Sequence, residues 1–199
     1  MVYTIYMNPR FTIGIDEVGR GPLAGPMTVC ALIVPATFNL KQLLGVRDSK
    51  KMSDKDREEW YQKARVWKRG GKINFYIRSI SAKKIDEIGI ARATRYLVRR
   101  ALQDVNEQGV RVKLDGLLYA PSRFEKQETI THGDAIEPVI SFASVIAKVF
   151  RDRKMRRLAR RFPDYGFDKH VGYGTKAHYD AIKKYGLTPE HRRSFLKNL

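Results

Sequence analysis

The sequence predicts an α/β fold built on a central mixed β-sheet, and three features of the chain lead there. Short apolar runs come early, at Phe11–Asp16 and Met27–Val34, separated by a glycine- and proline-bearing turn through Gly21–Pro26. Helical segments then interleave with further strands and dominate the second half, an order that implies packed α and β layers. No internal repeat, low-complexity tract or Pro/Gly/Ser linker divides the 199 residues, a length suited to one sizeable core. We therefore expect one domain over residues 1–199, with a helical C-terminal part from about residue 163 to 199.

Each element has a local reason. Phe11–Asp16 and Met27–Val34 read as strands from their apolar, β-branched composition. Ser53 caps a helix through Trp60 to about Lys68, with Asp54 and Asp56 in its electropositive first turn. Ile73–Ile80 is a further strand. Ser81 opens a long helix to about Asn106, with Ile85, Ile88, Ala91, Val98, Leu102 and Val105 on one face at helical spacing. Val110–Leu114 forms a short strand ending at Asp115-Gly116, and Glu128–Thr131 another. From Pro138 a helix runs to roughly Arg161, small and apolar at first, then strongly basic. Thr175 and Pro189 start two short helices, and Gly186 closes the first.

Charge narrows the partners. The 39 Lys and Arg against 21 Asp and Glu leave a formal net charge of +18. Such an excess favours a polyanion, with nucleic acid first among them. Heat adaptation would raise Glu along with Lys, which is not the balance seen. Cys30 is the only cysteine, so no internal disulfide forms. The chain holds no run of 18 apolar residues and no signal-peptide pattern at its start, so a cytoplasmic protein without membrane association is expected.

The chemistry concentrates in Asp16-Glu17-Val18-Gly19-Arg20-Gly21-Pro22, directly after the first apolar run. Side chains on a strand alternate faces, so adjacent Asp16 and Glu17 would point apart. They can serve one site only if the strand ends between them and the chain turns, which Gly19 and Gly21 permit. Paired carboxylates beside a flexible basic loop suit a metal ion meeting a phosphate. Further hard-oxygen candidates are Asp115, set among Leu114, Leu117 and Leu118, and Asp134, just ahead of the helix at Pro138. Asp152, flanked by Arg151 and Arg153, reads as a structural ion pair. His170, His178 and His191 match no familiar metal-ligand spacing and are expected on the surface or in hydrogen bonds.

These blocks resemble the type 2 ribonuclease H (ribonuclease HII) family along nearly the whole chain. The resemblance is carried by Gly14 to Pro22, Arg47-Asp48-Ser49-Lys50-Lys51, Leu114-Asp115-Gly116, Gly133-Asp134 and Ser141-Phe142-Ala143-Ser144-Val145-Ile146-Ala147-Lys148. It continues in Arg151-Asp152, His170, Gly172-Tyr173-Gly174-Thr175 and His191-Arg192-Arg193-Ser194-Phe195. The resemblance implies a ribonuclease-H-like fold in which Asp16, Glu17, Asp115 and Asp134 are catalytic and hold two divalent ions, Mg²⁺ or Mn²⁺. It also implies that Gly19, Arg20 and Gly21 read the ribose 2′-hydroxyl through backbone groups and that Tyr173 stacks on the following sugar. Ser49, Lys50, Ser144 and Lys148 are then positions that contact phosphate.

The activity so implied is metal-dependent hydrolysis of the RNA strand of RNA–DNA hybrids and cutting at ribonucleotides embedded in duplex DNA. Products would carry 5′-phosphate and 3′-hydroxyl ends, and the enzyme would act as a monomer. The alternative is a non-catalytic RNA–DNA hybrid-binding protein of the same fold, which clustered acids argue against because a pure binder gains nothing from negative charge facing phosphate. Phe142 departs from the small alanine usual in the family and bears on helix packing. The chain is also expected to lack the long docking tail of some relatives and the extra N-terminal domain of the related type 3 enzymes.

Overall fold

The computed structural model describes residues 10–46 and 49–197. Arg47 and Asp48, the first two residues of their sequence block, lie outside the described residues. Five strands form one mixed sheet: β1 (Phe11–Val18), β2 (Met27–Pro35), β3 (Asn74–Ile80), β4 (Val110–Asp115) and β5 (Gln127–Ile130), in the order β3-β2-β1-β4-β5. β1, β2 and β3 pair antiparallel, while β4 runs parallel to β1, and β5 parallel to β4.

Alternation along β1 sends Ile13 and Ile15 to one face and Gly14 and Asp16 to the other. The first face is covered by α2 (Ala82–Ile88) and α3 (Ile90–Ala101), whose Ile85, Ala93, Leu97 and Val98 pack on Ile13, Ile15, Val29 and Val112. The second is covered by α5 (Pro138–Arg161) and α1 (Asp54–Arg69), which bury Val139, Ile140, Ala143, Tyr61 and Trp67 against Cys30, Leu32 and Val34. Phe142 fits this layer, with Trp60 and Trp67 edge-on to its ring at 5.7 and 5.8 Å between centroids. A third cluster gathers the end of α5 with α6 (Phe167–His170) and α7 (Lys176–Tyr185), closing over Leu23 and Ala24 of the loop between β1 and β2.

Three sequence expectations need correction. The helix from Ser81 to about Asn106 is two helices, because Gly89 takes φ +78° and turns the chain so that α3 can present its apolar face; α3 then ends at Ala101. No helix starts at Pro189: the His191 N–H donates to the Thr188 carbonyl, His191 bridges to Ala24, and a 3₁₀ turn follows at Arg193–Phe195. β1 does not end between Asp16 and Glu17 but continues to Val18, held by β2. Its pairing with β4 stops at Ile15–Leu114, so the sheet opens beside Glu17 on that side.

Candidate active site

The open end of the sheet is where the acids meet. Asp16 and Asp115 each follow the last β1–β4 pair, Ile15–Leu114, and so stand side by side on the face covered by α5. The short helix α4 (Gly133–Ile136) sets Asp134 next to them, its N–H donating to Asp115 Oδ1 at 3.2 Å. Gly133 permits this approach, since a Cβ there would lie 2.7 Å from Ile140 Cδ1 and 3.3 Å from Asp115 Oδ1. Asp16 curls along its own strand to accept the Glu17 N–H at 2.7 Å. Glu17 turns in beside the open strand edge, so the adjacent carboxylates share a cavity without a turn between them.

That cavity, about 190 Å³, is lined by Asp16, Glu17, Gly19, Arg20, Gly21, Ser49, Lys50, Asp115, Asp134, Ser144, Lys148 and Tyr173. Every residue that the sequence singles out for catalysis or substrate binding therefore reaches one place. From the α5 side Ser144 shares a 2.9 Å hydrogen bond with Ser49, and its hydroxyl favours the charged form of Asp16. Lys50 Nζ lies 3.1 Å from Asp134 Oδ2, and Arg20 lies 3.8 Å from Glu17. Lys148 pairs one turn along with the buried Asp152 at 2.8 Å, so the ion pair expected of Asp152 forms with Lys148 and not with the flanking arginines.

Burial sets the electrostatics. It is the leading cause that raises the Asp16 carboxyl well above the usual range, and repulsion from Glu17 adds to it. Burial likewise lifts Glu17 to about 7; Arg20 pulls it back and Asp115 pushes it further up. Asp115 is also raised, again chiefly by burial. Glu17 Oε2 is buried without a hydrogen-bond partner among the described residues. An orphaned carboxylate oxygen among mutually repelling acids fits a hard divalent cation. Among the described residues no three such side chains already close into a coordination shell.

Tyr173 is 47 % exposed beside the loop, and a Cβ built on Gly21 would meet only its ring, at 3.9 Å. Its backbone is anchored from below by histidines. Thr188 N–H donates to His191 Nδ1 at 2.9 Å, so His191 Nε2–H donates to His178 Nε2 at 3.1 Å, and His178 Nδ1–H donates to the Tyr173 carbonyl at 2.9 Å. Both rings are buried, so the surface alternative is excluded for them and the hydrogen-bonding one holds.

Sequence reasoning assigned no role to Arg151 or Arg192, which lie fully buried under the loop from Gly19 to Pro26. A signal existed for each: Arg151 follows the small apolar face of α5, and Arg192 sits in the His-Arg-Arg-Ser-Phe block. Farther along α5, Lys154, Arg157 and Arg161 line a separate groove of about 530 Å³ against Ser79 and Ser81.

The five-stranded mixed sheet, flanked by helices and opening at the acid-bearing ends of β1 and β4, defines a ribonuclease-H-like enzyme. The family model for ribonuclease HII matches residues 13–198. The chain is 46 % identical over 185 residues to a ribonuclease HII of Shouchella clausii, covering 92 % of this chain and 67 % of that one. It is 43 % identical over 182 residues to a ribonuclease HII of Coxiella burnetii, covering 92 % and 86 %. The ribonuclease H2 structure from Pyrococcus horikoshii superposes with a TM-score of 0.73 at 26 % identity, over 92 % of this chain and 93 % of that one. The chain belongs to the ribonuclease HII family, and it is an endoribonuclease acting on RNA–DNA hybrids. Divalent-metal dependence comes with the family. Among the described residues no helix is long and apolar enough to cross a membrane.

Proposed function

We propose that the protein cuts at ribonucleotides embedded in duplex DNA as well as within longer hybrids, leaving 5′-phosphate and 3′-hydroxyl ends. The observation that carries this reading is the convergence of four carboxylates, a glycine loop and an exposed tyrosine on one cavity. Asp16, Glu17, Asp115 and Asp134 hold two divalent ions, Mg²⁺ or Mn²⁺, through carboxylate oxygens from three segments. Divalent cations bound there supply an activated water and stabilise the leaving 3′-oxygen.

The chain's own groups do the rest. The Ser144 hydroxyl on α5 favours the charged Asp16 carboxylate, and Lys50 bonds to Asp134, so the site is prepared for cations before substrate arrives. Lys148, Lys50, Ser49 and Ser144 offer donors to phosphate oxygens on the α5 side of the cavity. On the other side Gly19, Arg20 and Gly21 bring backbone against the ribose, where the 2′-hydroxyl alone separates RNA from DNA. Tyr173 packs against the next sugar. The reading places these parts in a single domain that acts as a monomer in the cytoplasm.

The test is cleavage of duplex DNA carrying one ribonucleotide by purified protein, with and without Mg²⁺. Cleavage at the ribonucleotide that leaves 5′-phosphate and 3′-hydroxyl ends, dependent on Mg²⁺ and abolished in Asp16→Asn with binding retained or tightened, is expected. Near-normal turnover by Asp16→Asn would show that the metal-site assignment is wrong.

A further inference from the structure

The loop that faces the ribose has an unusual foundation. Arg192 is fully buried, and no carboxylate lies within ion-pair distance of it among the described residues. Its hydrogen bonds go to backbone: Nη2 to the Gly19 carbonyl at 2.6 Å and the Gly25 carbonyl at 2.9 Å, Nη1 to the Arg20 carbonyl at 2.8 Å, and Nε to the Gly25 carbonyl at 3.1 Å. Arg151 supports the same loop through the Pro26 carbonyl at 2.8 Å. Gly19, at φ +89°, lies directly over it: a Cβ there would fall 2.1 Å from Arg151 Nε.

Burying a guanidinium with no carboxylate in ion-pair contact, Asp86 acting on it only from farther off, is costly, and an apolar side chain of the same volume would fill the space with less desolvation. What Arg192 adds is direction. In a trans peptide the C=O and the following N–H point opposite ways, and no peptide bond among the described residues is cis. Drawing the Gly19 and Arg20 carbonyls inward therefore turns the Arg20 and Gly21 N–H groups outward. Neither N–H has a protein partner among the described residues, Arg20 and Gly21 are both exposed, and both line the cavity. Two successive unpartnered donors facing one cavity make a cradle for an oxygen acceptor.

We propose that Arg192 is a positioning residue for ribonucleotide selection, aiming the Arg20 and Gly21 amides at the 2′-oxygen of the ribose. The assignment rests on the function proposed above and deepens it. Lysine cannot replace this residue: one compact ammonium cannot reach three carbonyls in the fixed fork that guanidinium provides.

The experiment measures binding by fluorescence anisotropy, with EDTA present to prevent cleavage, on two duplexes of one sequence. One is all DNA and the other carries a single ribonucleotide. Wild type is expected to prefer the ribonucleotide duplex. Arg192→Lys should lose about tenfold of that preference, the worth of one or two misaimed hydrogen bonds. Its affinity for the all-DNA duplex should stay within about twofold, since that contact is made by lysines and arginines on phosphate. Retained preference in Arg192→Lys overturns the proposal, and so does an equal loss on both duplexes, which would put the cradle on a phosphate.

Hydrogen exchange on the wild-type protein gives a reading independent of any variant's folding. The Arg20 and Gly21 amides should exchange quickly in the free protein and become protected by the ribonucleotide duplex but not by the all-DNA duplex. Amides equally protected by both duplexes, or by neither, overturn the proposal. A wild type that neither prefers nor cuts the ribonucleotide duplex defeats the proposed function itself, whereas retained preference in Arg192→Lys defeats only the positioning role.

Discussion

Gly14→Ala isolates the contact on which the whole cavity is suspended. Gly14 lies on the α5 face of β1, and a Cβ there would stand 2.2 Å from the Val139 carbonyl oxygen, 2.4 Å from its carbon and 2.8 Å from the Ile140 nitrogen. All three are backbone atoms at the start of α5, so no side chain can rotate away. Restoring an ordinary contact of about 3.4 Å means moving α5 off β1 by about 1 Å. Overpacking of this kind costs about 1–3 kcal/mol, partly offset by the roughly 0.5–1 kcal/mol that alanine gains over glycine within a strand. A net loss of about 1 kcal/mol lowers Tm by about 2–4 °C for a chain of this size. The larger effect falls on turnover. Asp16 and Glu17 ride on β1 while Ser144 and Lys148 ride on α5, so the shift separates the two halves of the site. A misplacement of about 1 Å costs on the order of 100-fold in rate. The assays are calorimetry and steady-state cleavage of an RNA–DNA hybrid at saturating Mg²⁺. A variant with kcat within about threefold of wild type and Tm within about 2 °C would refute the claim that this contact sets the geometry.

Binding to duplex nucleic acid should weaken steeply with salt, each neutralised phosphate adding roughly 0.9 to the slope of log affinity against log salt. Replacing Lys154, Arg157 and Arg161 together by alanine should flatten that slope; an unchanged slope would show that their groove lies off the path of the nucleic acid. Tyr173→Ala should reduce cleavage at a single ribonucleotide about fivefold more than cleavage of a uniform hybrid, stacking being worth about 1–3 kcal/mol and sugar packing the low end. Equal losses on both substrates, with a lower Tm, would make Tyr173 a packing residue. Burial, and then the neighbouring His178, hold His191 down at about 4, below its ordinary 6.5. The neutral ring is the one the fold accommodates, since Nδ1 already receives the Thr188 N–H. Its contribution is thus complete above pH 6.5 and is lost as pH falls toward 4, amounting to about 3 kcal/mol at most. Between pH 7 and 4.5 wild-type Tm should drop further than that of His191→Gln, and parallel curves would contradict this.

What could be read ahead of the structure was what local pattern encodes. Ser53, Ser81 and Thr175 cap helices as their hydroxyls predict, and the helix from Pro138 ends at Arg161. Asp115 was legible because a carboxylate among leucines at a strand end needs a purpose. Gly89 was not, since a lone glycine inside a continuous apolar stripe is compatible with an unbroken helix until tertiary packing asks the second half to turn. The shared cavity of Asp16 and Glu17 was anticipated for the wrong reason. A break in the strand was expected, whereas the strand runs on and β4 stops short. The His-Arg-Arg-Ser-Phe block marked Arg192, and hydrogen bonds were expected of His178 and His191. Their partners were out of reach, because these lie far away in sequence or bond through backbone atoms, which periodicity does not register.

The bond from Arg192 to the Gly19 carbonyl spans 173 residues. At about 5–20 residues per second, ribosomal synthesis takes roughly 10–35 s to cover that distance. For that interval the emerging polypeptide already contains Asp16, Glu17 and the glycine segment, yet lacks the guanidinium that draws the Gly19 and Arg20 carbonyls inward. The first part of the site to be made is therefore the last to be finished, and folding of the active form waits on its C-terminal stretch.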